Sequence, residues 1–342
     1  MRSLAYLLFA LLASSLTGCA NYVADQITHP QKSVGDIDGP SGAYVPLALQ
    51  DHRDCQAPCL HYVSGKPFTA KTQTPTDNPR FSESRFADSF IFGADKNAHE
   101  NHWHGTVILL HGYSANWSWM LGWSNYFQSL GFHTLMPDLP GHGATSIDDF
   151  SFAVRDINYL GPWLSQVNPP KPWIIVGHSM GTIAASYLAN ATQAKGLLLM
   201  APSSPLEQAS ISAAKAFHPY LSHFVPDSSL HAGADLALSE LNITDAQTDL
   251  RQLLKDWQQP TMILTAKADE VIGTDWAKQL QASLPFEFHQ LPGKHAEILT
   301  PTTQSKALVL AWLQRLTLTD NTTAIPKTPI AFAPKTPASK AQ

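Results

Sequence analysis

The stretch Trp173-Ile174-Ile175-Val176-Gly177-His178-Ser179-Met180-Gly181-Thr182-Ile183-Ala184-Ala185 sets a serine between two glycines, where an apolar run meets a segment of small residues. Trp173 to Val176 reads as a short buried strand, and Ser179 to Ala189 as a helix whose small side chains permit close packing on a sheet. A strand that reverses directly into a helix needs a very sharp turn. Its apex residue is held in a strained conformation, and glycines two positions either side leave room for the chain to double back. Taken alone, G-x-S-x-G arises by chance in many sequences; the order strand, turn, helix gives this one its specificity. The stretch is a nucleophile elbow, with Oγ of Ser179 exposed at the sheet edge.

A serine hydroxyl is a weak nucleophile at neutral pH, so it needs a base and a third group to orient that base. On this architecture the chain order is serine, acid, histidine. After the apolar run Met262 to Thr265 comes Ala266-Lys267-Ala268-Asp269-Glu270-Val271, which puts an acid just past the carboxyl end of a strand. Asp269 is the expected acid, with Glu270 and Asp275 as alternatives. After the last strand, Leu291-Pro292-Gly293-Lys294-His295 places a histidine ahead of the closing helix, the position of the base. Negative charge developing on a carbonyl oxygen calls for backbone N–H donors. One is expected from Met180, at a helix N-terminus, and the other from Tyr113, with Ser114 as the alternative. His111 reads as a brace for that loop. The aromatic group Tyr113, Trp117, Trp119 and Trp123 suits either core or an acyl pocket.

Working outward, apolar runs at Thr106–Leu110, Phe132–Pro137, Leu197–Met200 and Phe286–Gln290 alternate with helical segments at Trp123–Leu130, Phe150–Leu164 and Thr302–Leu316. This is the pattern of an α/β domain with a mostly parallel, wound sheet of at least six strands. Residues 202–260 form a connection of about sixty residues, far beyond the usual two to six. It must carry its own structure. Helical spacing over Ala213–Phe224 and Thr244–Trp257 predicts a helical cap above the carboxyl edge of the sheet, where ligands bind in such folds.

His111-Gly112, Pro140-Gly141-His142-Gly143, the elbow, Asp269, and His295 followed by Glu297 resemble the monoacylglycerol lipase and lysophospholipase group of α/β-hydrolases, which includes serine aminopeptidase relatives. The likeness covers roughly Arg85 to Leu316. It implies the α/β-hydrolase fold and cleavage of a carboxylic ester, such as a lysophospholipid or monoacylglycerol, through an acyl-serine intermediate without cofactor or metal. The rival readings are a general carboxylesterase or thioesterase, an aminopeptidase-like amidase, and a non-catalytic binding module. Members of the group commonly carry a second glycine after the elbow and a proline soon after the acid; here Thr182 and Gly273 stand instead.

The 342 residues are 44% apolar and only 14% charged, with a net charge of −5. That composition excludes disorder for most of the chain and offers no basic footprint for nucleic acid. Arg2 followed by apolar Leu4 to Leu16 has the layout of a secretory signal, too short to span a bilayer. Leu16-Thr17-Gly18-Cys19 resembles the bacterial lipobox, which implies removal of residues 1–18, acylation of Cys19 and attachment to a membrane of the bacterial envelope. Ala20 in the next position points, by the same resemblance, to the outer membrane. Residues 19–79 read as an irregular tether, 80–316 as the hydrolase domain, and 317–342 as a disordered Thr/Pro/Lys-rich tail. Cys55 and Cys59 are expected to close a small disulfide loop.

Overall fold

The computed structural model describes residues 18–33, 49–52, 59–68, 103–192, 194–217 and 225–316. Within them one eight-stranded sheet runs in the order β1-β2-β4-β3-β5-β6-β7-β8. The strands are β1 (Leu49–His52), β2 (Tyr62–Gly65), β3 (Thr106–Leu110), β4 (His133–Pro137), β5 (Trp173–His178), β6 (Gly196–Met200), β7 (Thr261–Ala266) and β8 (Glu287–Leu291). From β4 to β8 all neighbours pair parallel, whereas β1 and β2 add antiparallel at one edge. β3, β5, β6 and β7 are buried along their whole length. Strands covered on both faces lose the apolar–polar alternation, which is why they stand out in the sequence as continuous apolar runs.

Helices α1 (residues 18–28), α2 (Leu121–Leu130), α3 (Ile157–Val167), α4 (Gly181–Thr192), α8 (Thr274–Ser283) and α9 (Thr303–Leu313) surround the sheet. The apolar side chains form two layers: one gathers Ile175, Ile183, Leu197 and Trp276, the other Trp117, Trp123, Val176, Leu198 and Trp312. Trp117 and Trp123 are therefore core. The connection between β6 and β7 carries α5 (Leu206–Phe217), α6 (Asp227–Leu241) and the single-turn α7 (Leu250–Leu253), a helical cap. Arg155, paired with Asp149 at 2.7 Å, also donates from Nη1 to the carbonyl of Leu241 at 2.7 Å, so the end of α6 is pinned to the body.

Three expectations need correction. The stretch taken for an irregular tether holds α1 and the strands β1 and β2. α1 buries mainly Ala20, Ala24 and Ile27, a stripe too slight to register as amphipathic, because its partner at the contact is Gly233. β1 reads Leu-Gln-Asp-His, polar because an edge strand is only partly covered. Second, the segment predicted as helical from Phe150 begins its helix only at Ile157, since the chain turns through positive φ at Phe152 (48°) and Ala153 (67°). Third, the cap helices are shifted from their predicted bounds. α6 was hidden because its inner face is mostly Ser229, Gly233, Ala234 and Ala237, small residues with little hydrophobic signal. Cys59 is disulfide-bonded and Cys19 is free, while Cys55 and the tail after Leu316 lie outside the described residues.

A polar hub fixes the loop after β4. The buried carboxylate of Asp138 accepts from the backbone of Trp117 and of Ala144, both at 2.8 Å, and from His61 Nδ1 at 2.6 Å. Nε2 of His61 donates to Asp51 at 2.8 Å. With both ring nitrogens facing carboxylates, the cationic form of the imidazole is favoured. Burial alone would lower its pKa, but the hydrogen bond and charge of Asp138, then those of Asp51, raise it above 6.5. A raised folded-state pKa gives stability that is complete below 6.5 and is lost as the pH climbs through the folded value. His61→Gln should therefore cost roughly 3–5 kcal/mol in acidic-to-neutral urea denaturation, the range for breaking a buried pair. The gap to wild type should narrow toward alkaline pH; a gap that stays constant would mean the ring is neutral.

Candidate active site

Ser179 sits at φ +52°, in the left-handed region, between β5 and α4. Such a non-glycine residue costs on the order of 1–3 kcal/mol, so the surroundings must hold it. The flanking glycines show why. A Cβ at Gly177 would stand 2.4 Å from the carbonyl oxygen of Gly181, and one at Gly181 would stand 2.3 Å from that of Leu110. The N–H of Ser179 donates to Met200 in the neighbouring strand at 3.0 Å. Thr182 donates its hydroxyl to the carbonyl of Ser179 at 2.6 Å and accepts from the N–H of Ser203 at 3.1 Å.

Two strands further along, the loops after β7 and β8 bring Asp269 and His295 together. His295 Nδ1 donates to Asp269 at 2.8 Å (Oδ2) and 3.0 Å (Oδ1). The carboxylate, with a side chain only 2% exposed, also accepts from the backbone of Val271 and Ile272 at 3.0 Å each. Burial pushes its pKa up, but the hydrogen bond and charge of His295, helped by those two N–H groups, bring it below the ordinary 3.8. Asp269 is thus ionised at neutral pH. The two alternative acids are elsewhere: Glu270 is exposed, and Asp275, 86% exposed, faces Lys278.

Occupying Nδ1 leaves Nε2 of His295 as the ring atom free to take a proton. Among the described residues no hydrogen bond joins His295 to the Ser179 hydroxyl; such bonds are often long before a substrate arrives. The two are linked through His178, a residue that sequence reasoning passed over. Its ring lies 5.0 Å from that of His295, and Nε2 donates to the His295 carbonyl at 3.3 Å. Burial and then the neighbouring His295 push His178 down to about 3, so it stays neutral, with Nε2–H as the donor to the His295 carbonyl. The sole signal in the sequence was its position next to the nucleophile.

The loop after β3 meets the elbow: a Cβ on Gly112 would lie 3.1 Å from Cβ of Ser179. His111 braces this loop as expected, accepting from the N–H of Leu139 at 3.0 Å and donating to the carbonyl of Gly112 at 2.8 Å. Neither the N–H of Tyr113 nor that of Met180 is committed to a hydrogen bond among the described residues. The Tyr113 ring packs among His142, Phe150 and Phe152, at 6.1, 5.8 and 6.4 Å, forming an aromatic wall beside the loop. Among the described residues no three His, Cys, Asp or Glu side chains are grouped to hold a metal.

Residues 107–326, well over half the chain, match the alpha/beta hydrolase family. The chain belongs to that family. No curated protein matches it by sequence. Among solved structures it is similar to the Pyrococcus furiosus esterase Pf2001, at 15% identity and a TM-score of 0.56, over 84% of this chain and 97% of that one. It is also similar to the candidate lipase lip1 of Acinetobacter baumannii, at 19% identity and a TM-score of 0.51, over 79% and 92%. At these identities the likeness carries the fold. Within this alpha/beta hydrolase, the Asp269–His295 pair generates a sharp expectation. Asp269→Asn should lower the rate at which Ser179 reacts with a fluorophosphonate by roughly three to four orders of magnitude, through loss of the correct tautomer. Glu270→Gln should change it less than about twofold, as expected of an exposed neighbour; equal losses would remove Asp269 from the site.

Proposed function

We propose that the protein hydrolyses carboxylic esters through an acyl-serine intermediate, with single-chain lipids such as lysophospholipids or monoacylglycerols as substrates. One observation carries the reading: a strained serine at the carboxyl edge of the sheet shares that edge with a buried, ionised Asp269 bonded to His295. In the first step Oγ of Ser179 attacks the carbonyl carbon while Nε2 of His295 takes its proton, and Asp269 stabilises the imidazolium. The oxyanion is received by the N–H groups of Tyr113 and Met180, the latter at the positive end of α4. Collapse expels the alcohol, which leaves with the proton from His295. Water then gives its proton to the same base, attacks the acyl-serine and releases the acid and free Ser179.

The lipid reading draws on the aromatic wall of Tyr113, Phe150 and Phe152, and on the lipobox-like segment before Cys19. On this reading residues 1–18 are removed, Cys19 is acylated, and the protein resides in the bacterial envelope, at the outer membrane. Stable attachment needs more than one chain on that cysteine, since a single chain holds only marginally.

A fluorophosphonate probe should label the wild type and not Ser179→Ala; failure of the wild type to react would leave a binding module. A panel of acyl esters of increasing length beside aminoacyl amides should show turnover rising with chain length, and cleavage of amides alone would discard the ester reading. Metabolic labelling with a fatty-acid analogue should mark the wild type and not Cys19→Ser; equal labelling of both would place the modification elsewhere.

A further inference from the structure

α1 contains Cys19, the residue that would carry the anchor, in its first described turn, and it is seated on the cap. A Cβ on Gly233 of α6 would meet Val23 at 2.5 Å and the carbonyl of Ala20 at 2.9 Å. The chain that follows is fastened to the loop beside the nucleophile: Tyr113 donates its hydroxyl to the carbonyl of Gln26, Gln31 donates its N–H to Oγ of Ser114 at 3.0 Å, and Asn116 donates to the carbonyl of Ser33 at 3.1 Å. Lys32 pairs with Asp148. Residues 20–33 thus bridge the cap and the loop that holds Tyr113, with no free length between Cys19 and the body of the enzyme.

The large apolar side chains exposed among the described residues are Tyr22 (58%) and Leu236 (37%). Tyr22 stands three residues after Cys19, on the same side of α1, and Leu236 lies one turn beyond Gly233 on α6, the helix that α1 packs against. The same two helices carry Asp25, Asp227, Asp235 and Glu240 and no lysine or arginine. Anionic headgroups attract basic segments, so this surface has no electrostatic means of reaching a charged leaflet. Attachment must then come from an anchor on Cys19, whose neighbour Ala20 packs at the seam of these two helices.

We propose that the seam of α1 and α6 is a membrane-contacting surface: the anchor at Cys19 holds the cap directly against a zwitterionic lipid leaflet, with Tyr22 and Leu236 in the headgroup layer. The enzyme then takes its substrate from the bilayer at the edge where Ser179 opens. This rests on the reading of Cys19 as the anchored residue and replaces a long flexible leash by a docked one.

The test couples a maleimide phospholipid to the free thiol of Cys19 in protein comprising residues 19–342, attaches it to phosphatidylcholine vesicles, and applies hydroxyl-radical footprinting. The reference is the same protein capped with a water-soluble maleimide. Tyr22 and Leu236 should become several-fold less oxidised on the vesicles, while partly exposed Tyr126 and Leu308, packed on the opposite layer, should not change. Unchanged oxidation of Tyr22 and Leu236 overturns the proposal. A Gly/Ser spacer of about 20 residues between Cys19 and Ala20, long enough to act as a flexible coil, should abolish that protection. It should also slow turnover of a long-chain monoacyl ester in the same vesicles several-fold, with the rate on a water-soluble ester unchanged. A spacer that leaves both protection and vesicle turnover intact likewise overturns it. Loss of turnover on both esters in the unspaced protein would count against ester hydrolysis, and the footprint would still decide the membrane contact.

Discussion

The crossing of the chain at the elbow permits no Cβ on either side of Ser179. Gly177 and Gly181 press against backbone oxygens at distances no side chain tolerates, and the second of those oxygens belongs to β3, the strand whose loop supplies Tyr113. Ser179, the loop after β3 and the first turn of α4 are therefore held in register by one steric fact. A larger residue at Gly181 would push β3 from the elbow, and one at Gly177 would push away the first turn of α4. The strain at Ser179 persists because the hydrogen bonds from Ser179 N–H to Met200 and from Thr182 to Ser179 over-determine the turn.

Buried histidines in this protein show how far environment decides the state of a single ring. His61 lies between two carboxylates, which favour its charged form. His111 has a backbone donor on one nitrogen and a carbonyl on the other, which fixes a neutral tautomer. His142, pushed to about 3 by burial and by its neighbour His111, is neutral as well. His295 differs from all of these in having one nitrogen on a carboxylate and the other uncommitted, and its side chain is 13% exposed. Only that arrangement suits a group that must gain and lose a proton in each cycle.

The elbow and the Asp269–His295 pair were legible because each part leaves a local mark: a glycine pair around a serine, an acid and a histidine each just past an apolar strand. Strands β3 and β5–β7 were equally plain, since burial on both faces demands unbroken apolar runs. What stayed hidden relies on smallness or on distance. α1 and α6 meet through Gly233, Ala20 and Ala24, residues that pack closely because they lack bulk and so contribute little hydrophobic periodicity. Asp138 and His61 are far apart in the chain, and a loop carboxylate gives no sign that three donors will converge on it. His178 carries no pattern beyond adjacency to Ser179.

Thr182 ties the turn at Ser179 to the cap. A glycine there would leave the carbonyl of Ser179 and the N–H of Ser203 unbridged; the threonine hydroxyl joins them. Ser203 begins the connection into the cap, which is held further by Trp276 donating from Nε1 to the carbonyl of Pro202 at 3.2 Å and by Leu206 donating to Thr248 Oγ1 at 2.9 Å. The root of the cap is thereby tied to the nucleophile, while α6 is tied to the body through Arg155 and to α1 through Gly233. A force applied at Cys19 reaches α6 through the helix seam and Ser114 through Gln31. A covalent anchor at that cysteine, as proposed, would be mechanically continuous with the loop after β3 and with α6, a property a loose tether could not give it.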